Sequence, residues 1–199
     1  STEAEGVTTL RFDKDLHATP GQLGMVRLAG VGQRPMSFSH SDGITVKAVG
    51  PVSTALSQLS EGDRLSIDGP LGRGFTIDGT SAVLIGGGFG VAPLRFLAEC
   101  CHARGMTVTT LLGFRSGKDV FFEQELAKHG DVYVATEDGS CGEQGMITCL
   151  FEAAGTEFDR CYCCGPERMM AAVVDRFKGT MPIQVSLERY MKCGRGLCG

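Results

Sequence analysis

Short runs of β-branched and other apolar residues, broken by Gly, Pro, Ser and Asp, fill the first part of the chain at 7–12, 22–28, 36–39, 44–49 and 64–68. Runs this brief at close spacing predict the strands of a small antiparallel barrel. Only 52–59 is long enough for two turns of helix. After Asp78 the rhythm changes. Apolar runs at 82–85, 107–112, 132–135, 160–164 and 183–187 alternate with stretches at 93–104, 121–129 and 167–178 that carry helical periodicity. In the first of those stretches Leu94, Leu97, Ala98 and Cys101 fall on one face. Such alternation predicts a parallel, doubly wound α/β sheet with right-handed crossovers. The expected organisation is an antiparallel β domain over 1–78, an α/β domain over 79–187 and a separate terminal element over 188–199.

The sharpest local signal is the turn Gly86-Gly87-Gly88-Phe89-Gly90-Val91-Ala92-Pro93, which follows an apolar strand and opens a helix. Glycines here let backbone N–H groups approach a pyrophosphate, and the helix N-terminus adds partial positive charge. The fit to the dinucleotide fingerprint is incomplete, since Pro93 stands where a third glycine belongs; a plain strand-to-helix turn explains the same residues. A second small-residue turn, Cys164-Gly165-Pro166, follows the fourth strand of the series. In a doubly wound sheet the first and fourth strands are the neighbours where the winding reverses, and ligands bind at their carboxyl ends. The two turns together therefore favour a nucleotide site. Cys161 and Cys163 are expected to face the core as small hydrophobes.

Arg34-Pro35-Met36-Ser37 pairs a guanidinium suited to phosphate with a small hydroxyl, although an Arg-Pro turn entering a strand is also ordinary turn chemistry. Gly69-Pro70-Leu71-Gly72 by itself reads as a turn. In the last residues, Cys193 and Cys198 flank four residues rich in glycine. That spacing begins the plant-type [2Fe–2S] pattern, which needs four thiolates. Taken alone, the pair is equally open to a disulfide, a two-thiol metal clip or free thiols.

Composition narrows the classes. The formal net charge of −4 supplies no basic footprint for nucleic acid, and no apolar stretch is long enough for a membrane span. Nine cysteines, several adjacent and buried in apolar runs, do not make a disulfide framework, so a reducing, cytoplasmic setting is expected. Gly reaches 29 residues, roughly twice the usual share of about 7%, as tight turns and close ligand approaches require.

In order, the motifs Gly21-Gln22-Leu23, Arg34 to Ser37, Gly69 to Gly72, Gly86 to Pro93, Thr136-Glu137-Asp138-Gly139-Ser140, Cys164-Gly165-Pro166 and the run Ser186-Leu187-Glu188-Arg189-Tyr190-Met191-Lys192-Cys193 span nearly the whole chain. In this order they resemble the electron-transfer subunits of heterodimeric dihydroorotate dehydrogenases, within the ferredoxin-reductase superfamily. The resemblance implies a flavin-binding barrel, a nucleotide-binding domain and a terminal iron–sulfur loop. It implies that FAD is held by Arg34, Pro35, Met36 and Ser37, by Thr45, Val46 and Lys47, by Val52 and Ser53, and by Gly69, Pro70 and Gly72. Val52 departs from the family's usual glycine, and Gln33 from a frequent glutamate. NAD(P) would meet Gly87, Gly88, Gly90, Val91, Cys164, Gly165 and Pro166, and Cys193 and Cys198 would ligate the cluster. NAD is the form the resemblance favours; Arg115 and Lys118, after the second strand, would either serve a 2′-phosphate or simply be solvated.

The implied partner is an FMN-binding catalytic subunit that oxidises dihydroorotate, in a heterotetramer with two copies of each chain. No catalytic acid–base pair is implied. Related flavin and iron–sulfur subunits of a sulfhydrogenase or a ferredoxin:NADP transhydrogenase share these motifs, and a non-enzymatic redox or metal-binding module is the alternative of another class. The resemblance further implies a natural chain longer than this sequence. Ser1 stands where the family is entering its first strands, and a third cluster thiol would fall just beyond Gly199.

Overall fold

The structure is a computed structural model that describes residues 1–155, 157–187, 191 and 193–197. Its contacts divide the chain into two units, Ser1–Phe75 with Glu188–Gly199, and Thr76–Leu187.

The first unit is a six-stranded antiparallel sheet in the order β1-β2-β5-β4-β3-β6. Its strands are β1 (Thr2–Ala4), β2 (Val7–Arg11), β3 (Leu23–Leu28), β4 (Gly32–His40), β5 (Gly43–Lys47) and β6 (Ser66–Leu71). The helix α1 (Pro51–Ser57) follows β5, with Pro51 in its first turn, where the missing N–H costs nothing. Buried Val7, Val26, Phe38, Ile44, Val46 and Leu56 form the apolar interior. Strand β4 is longer than its apolar pattern indicates. Antiparallel pairing with β3 carries the ladder through Pro35 opposite Met25 to Gly32 opposite Leu28, so the partner strand, and not side-chain alternation, sets its length.

The second unit is a six-stranded sheet in the order β10-β9-β8-β7-β11-β12, and each of its pairs is parallel. It comprises β7 (Ser81–Gly87), α2 (Val91–Ala103), β8 (Thr107–Phe114), α3 (Glu123–Leu126), β9 (Asp131–Thr136), β10 (Glu143–Gln144), β11 (Arg160–Cys164), α4 (Glu167–Phe177) and β12 (Ile183–Ser186). Ala82, Val83, Leu84 and Ile85 are all fully buried, as expected for a parallel strand covered on both faces. Val83, Ile85, Cys161 and Cys163 join Val173 and Phe177 of α4 in one core cluster. By alternation Leu84 and Tyr162 take the other face, where α2 contacts β7 and β11 through its buried side chains, Leu94, Leu97 and Ala98 among them.

The stretch expected as a helix over 121–129 forms only the four-residue α3. Phe121 and Phe122 are drawn into the core, where Phe121 meets the rings of Phe89 and Phe114, and Phe122 takes a left-handed backbone (φ 63°) that blocks an earlier helix start. Burial of two aromatic rings outweighs helix propensity here. Among the described residues no helix is long and apolar enough to cross a membrane.

Burial raises the Cys161 thiol to about 12 and pushes the Cys163 thiol well above its ordinary range, whereas Cys149 is exposed. Since the thiolate is the reactive form, native protein treated briefly with iodoacetamide is expected to be labelled at Cys149 and spared at Cys161 and Cys163. Peptide mass spectrometry reads this directly, and equal labelling would contradict the buried placement.

Candidate nucleotide and electron-transfer sites

In the second unit, β7 and β11 are direct neighbours, with Gly86 paired to Cys164 at their carboxyl ends. The winding reverses between them, and both small-residue turns leave from this point. The first turn passes through a 3-10 turn at Gly88–Gly90 into α2. Gly90 must be glycine because of the second turn. A Cβ there would stand 2.3 Å from the Cys164 carbonyl oxygen and 2.7 Å from Gly165 Cα. At Gly88, with φ +53°, nothing lies within 4 Å of where a side chain would begin. Pro166 and Met169 close behind Gly87.

The N-terminus of α2 carries no side-chain cap and no acidic residue in its first turn. The Val91 N–H is already bonded to the Gly88 carbonyl and Pro93 has none, so what this helix end offers an anion is chiefly its roughly half a unit of positive charge. An open Gly88, an uncapped helix and two turns in mutual contact fit a dinucleotide phosphate. Gly87, Gly88, Gly90, Val91, Cys164, Gly165 and Pro166 are thus brought together at one edge of this sheet.

The rim of the same edge comes from the loops after β8 and β9. Glu137 and Asp138 continue the ladder past β9, their N–H groups donating to the carbonyls of Phe114 (3.1 Å) and Arg115 (3.2 Å). Asp138 Oδ1 accepts from the Ser140 N–H (3.0 Å) and hydroxyl (2.5 Å), and the Ser140 hydroxyl accepts from the Gly117 N–H at 2.6 Å. These bonds, the Ser140 hydroxyl foremost, hold the Asp138 carboxyl below its ordinary range. At the opposite edge, Asp159 ties the residues before β11 to the start of β7, accepting from the Thr80 N–H and hydroxyl and from the Ser81 N–H.

The Thr80 bonds depress Asp159, and the Arg160 side chain depresses Asp78. A carboxyl with a lowered folded-state pKa contributes stability that is complete above its ordinary value near 3.8 and is lost as pH falls through the lowered value. The melting temperature is therefore expected to hold above about pH 5 and decline below about pH 4. Asp159→Asn should flatten part of that decline, and a variant with the parent's slope would contradict this assignment.

In the first unit, Arg34, Pro35, Met36 and Ser37 run along β4 opposite β3. Arg34 is exposed, and its guanidinium donates to the Gln33 carbonyl at 2.9 Å, leaving most of its five donors for a ligand. Thr45 and Val46 are buried and, as consecutive residues of β5, point to opposite faces; the Thr45 hydroxyl lies in a chain with those of Thr9 (2.9 Å) and Ser39 (2.8 Å). Lys47 ends β5 half-buried. Val52 is buried in α1, and the Ser53 hydroxyl accepts from the N–H groups of Val49 and Gly50, each at 3.1 Å. Gly69 and Pro70 form a bulge in β6, with Leu71 opposite Leu23 and Asp68 opposite Met25. The Gly72 carbonyl accepts from Gln22 Nε2 at 3.1 Å. A guanidinium with spare donors, a small hydroxyl and a lysine on neighbouring strands suit the phosphates and ring edge of a flavin nucleotide.

Cys193 is half-buried, and its sulfur accepts the backbone N–H of Arg195 at 3.4 Å, a donor of the kind that tunes a metal-bound thiolate. Arg195 makes a bidentate pair with Asp68 of β6 that holds the Asp68 carboxyl below its usual range and fastens this loop to the first unit. Cys198 lies outside the described residues. Among the described residues no three His, Cys, Asp or Glu side chains gather as a metal site.

Comparison with known proteins gives these sites their context. Residues 84–175 match the model of the oxidoreductase NAD-binding domain. The chain is 42% identical to the probable dihydroorotate dehydrogenase B (NAD(+)) electron transfer subunit of Methanocella arvoryzae, covering 99% of this chain and 79% of the relative. It is 41% identical to the corresponding Thermococcus kodakarensis protein, over 98% and 84% respectively. The chain belongs to this family of electron transfer subunits.

Among solved structures, an NADH-dependent reduced ferredoxin-NADP oxidoreductase superposes with a TM-score of 0.82 at 28% identity, over 100% of this chain and 80% of that one. A ferredoxin reductase of carbazole 1,9a-dioxygenase shares the fold with a TM-score of 0.79 at 23% identity, over 94% and 66%. The antiparallel and doubly wound sheets are those expected of the ferredoxin-reductase fold. In the sequence, 136–140 is legible only as part of a family motif. Its tie to Arg115 and Ser116 depends on ladder bonds between separate loops, which no local pattern displays.

Proposed function

We propose that this chain is the electron-transfer subunit of a dihydroorotate dehydrogenase of the NAD(+) type, carrying electrons between a catalytic FMN-binding subunit and NAD+. The observation that carries this reading is the contact of the two turns at the carboxyl ends of β7 and β11, beside an uncapped helix, in a chain 42% identical to a family member over 99% of its length. When bound, the [2Fe–2S] cluster would supply one-electron transfer and FAD the conversion to a two-electron hydride.

The chain's own residues bind and orient. Arg34 would neutralise the FAD diphosphate, with Ser37, Lys47, Gly69, Pro70 and Gly72 around it. Gly87, Gly88 and Gly90 would let the backbone approach the NAD pyrophosphate, with Val91 opening the helix beside them, while Cys164, Gly165 and Pro166 wall the site. Cys193 and Cys198 would hold iron. We assign residues 1–78 to flavin, 79–187 to NAD and 188–199 to the cluster loop, in a heterotetramer with two copies of each subunit. Cysteine usage supports a cytoplasmic location.

A second reading, a flavin and iron–sulfur subunit of a ferredoxin:NADP transhydrogenase, draws support from the 28% identical ferredoxin-NADP oxidoreductase. Reconstitution separates the two. Mixed with the catalytic FMN subunit encoded by the same organism, this protein is expected to support dihydroorotate-dependent reduction of NAD+ that neither chain supports alone. Co-purification with a pyridine-nucleotide flavoprotein, and no such activity, would establish the second reading instead.

A further inference from the structure

We propose that Phe89 is a positioning residue for the nucleotide: its ring, seated on an aromatic pillar built from the end of β8 and the segment after it, holds the glycine turn in the shape that a dinucleotide meets. The inference rests on the proposed NAD site and adds to it a residue that acts through the turn. The turn Gly86-Gly87-Gly88-Phe89-Gly90 contains four glycines and a single side chain. Glycine loses more conformational freedom on ordering than any other residue, so a turn of this composition, left loose, would have to be ordered by its ligand at the expense of affinity.

Both ends of the turn are held by backbone. Gly86 and Gly87 pair with Leu112 and Gly113 of β8, and Gly90 lies against the Cys164 carbonyl, where a Cβ would stand 2.3 Å from its oxygen. The middle has no such support, since nothing lies within 4 Å of where a side chain of Gly88 would begin, and that residue takes φ +53°. Phe89 is the one side chain that can fasten it. Its ring centroid lies 6.1 Å from that of Phe121, which in turn stands 5.8 Å from Phe114, edge-on at 62°, and 5.1 Å from Phe122. Aromatic pairs attract one another at these separations beyond the area they bury. The three supporting rings are buried, whereas Phe89 is half-buried. The pillar is itself anchored twice. Phe114 ends β8 within the sheet, and Phe122 precedes α3, whose Glu125 accepts from Arg95 of α2 at 3.0 Å. The turn is thereby tied through one ring to the sheet and to the helix that it opens.

The test uses FAD-loaded protein and two readouts: calorimetric binding of ADP-ribose, which reports on the turn without redox turnover, and the NADH dependence of flavin reduction by stopped flow. In Phe89→Ala the dissociation constant for ADP-ribose and the NADH concentration for half-maximal reduction are each expected to rise by about five- to tenfold, with a smaller change in the limiting rate. Phe89→Leu, which keeps an apolar side chain on Phe121, should recover part of the loss. Phe121→Leu removes the supporting ring and leaves Phe89 in place, and it should weaken both ligands in the same direction by a smaller factor. Phe89→Ala binding both ligands as the parent does, whatever its melting temperature, would overturn the inference, because the ring would then serve stability alone. Weak binding by Phe89→Ala beside parent-like binding by a folded Phe121→Leu would also overturn it, in favour of direct contact between the Phe89 ring and the nucleotide. A parent protein that binds neither ADP-ribose nor NADH would overturn the NAD site and the inference with it.

Discussion

Gly90→Val is expected to raise the NADH concentration needed for half-maximal flavin reduction by roughly a hundredfold while leaving flavin bound. The first Cβ alone would stand 2.3 Å from the Cys164 carbonyl oxygen and 2.5 Å from its carbon, and neither is the end of a flexible side chain that can swing away. One of the two turns must move, and with it the N–H groups that open α2. Misplacing a positioning element by about 1 Å commonly costs about a hundredfold, and overpacking of this kind adds about 1–3 kcal/mol of destabilisation. The side chains and turns placed at the FAD site, from Arg34 to Gly72, lie in Ser1–Phe75, so flavin content should not change. Stopped-flow reduction with NADH, together with the flavin-to-protein absorbance ratio, separates the two effects. An unaltered NADH dependence would mean that contact between the turns does not shape the nucleotide site.

The second large effect is expected at Arg34. Its side chain is exposed and makes no contact that the fold requires, since its hydrogen bond goes to the carbonyl of the preceding residue. Arg34→Ala should therefore melt within experimental error of the parent. Loss of a charge-assisted bond of about 1.5–3 kcal/mol to a phosphate corresponds to roughly a ten- to hundredfold weaker hold on FAD. Arg34→Lys should recover part of this only, because an ammonium cannot reproduce the guanidinium fork. Gel filtration followed by flavin quantification checks it. Full retention of FAD by Arg34→Ala would remove Arg34 from the site.

Much of the α/β unit was legible because burial on both faces leaves a plain signature. The run 82–85 is fully buried within β7, the helical face of Leu94, Leu97, Ala98 and Cys101 is buried to the last residue, and 160–164 is β11 from end to end. What escaped were elements defined by their partners. Strand β1 is three residues long, and β10 is two polar residues, held by pairing with β2 and β9 and not by any pattern of their own. The two turns were recognisable as small-residue segments. Their contact, which makes Gly90 obligatory, is a tertiary fact. Likewise the hydroxyl chain of Thr45 with Thr9 and Ser39 joins three strands and has no local signature. The Asp138 network shows the same limit, since it joins two loops that are distant in sequence.

The most direct test of the electron-transfer account is an anaerobic titration of the purified protein with NADH, followed by visible absorption. The account predicts a flavin spectrum that bleaches on addition of about one equivalent of NADH per flavin, and, where the one-electron cluster is assembled, additional iron–sulfur absorbance whose bleaching takes about half an equivalent more. A colourless protein, or a flavin spectrum that NADH leaves unchanged, would contradict it.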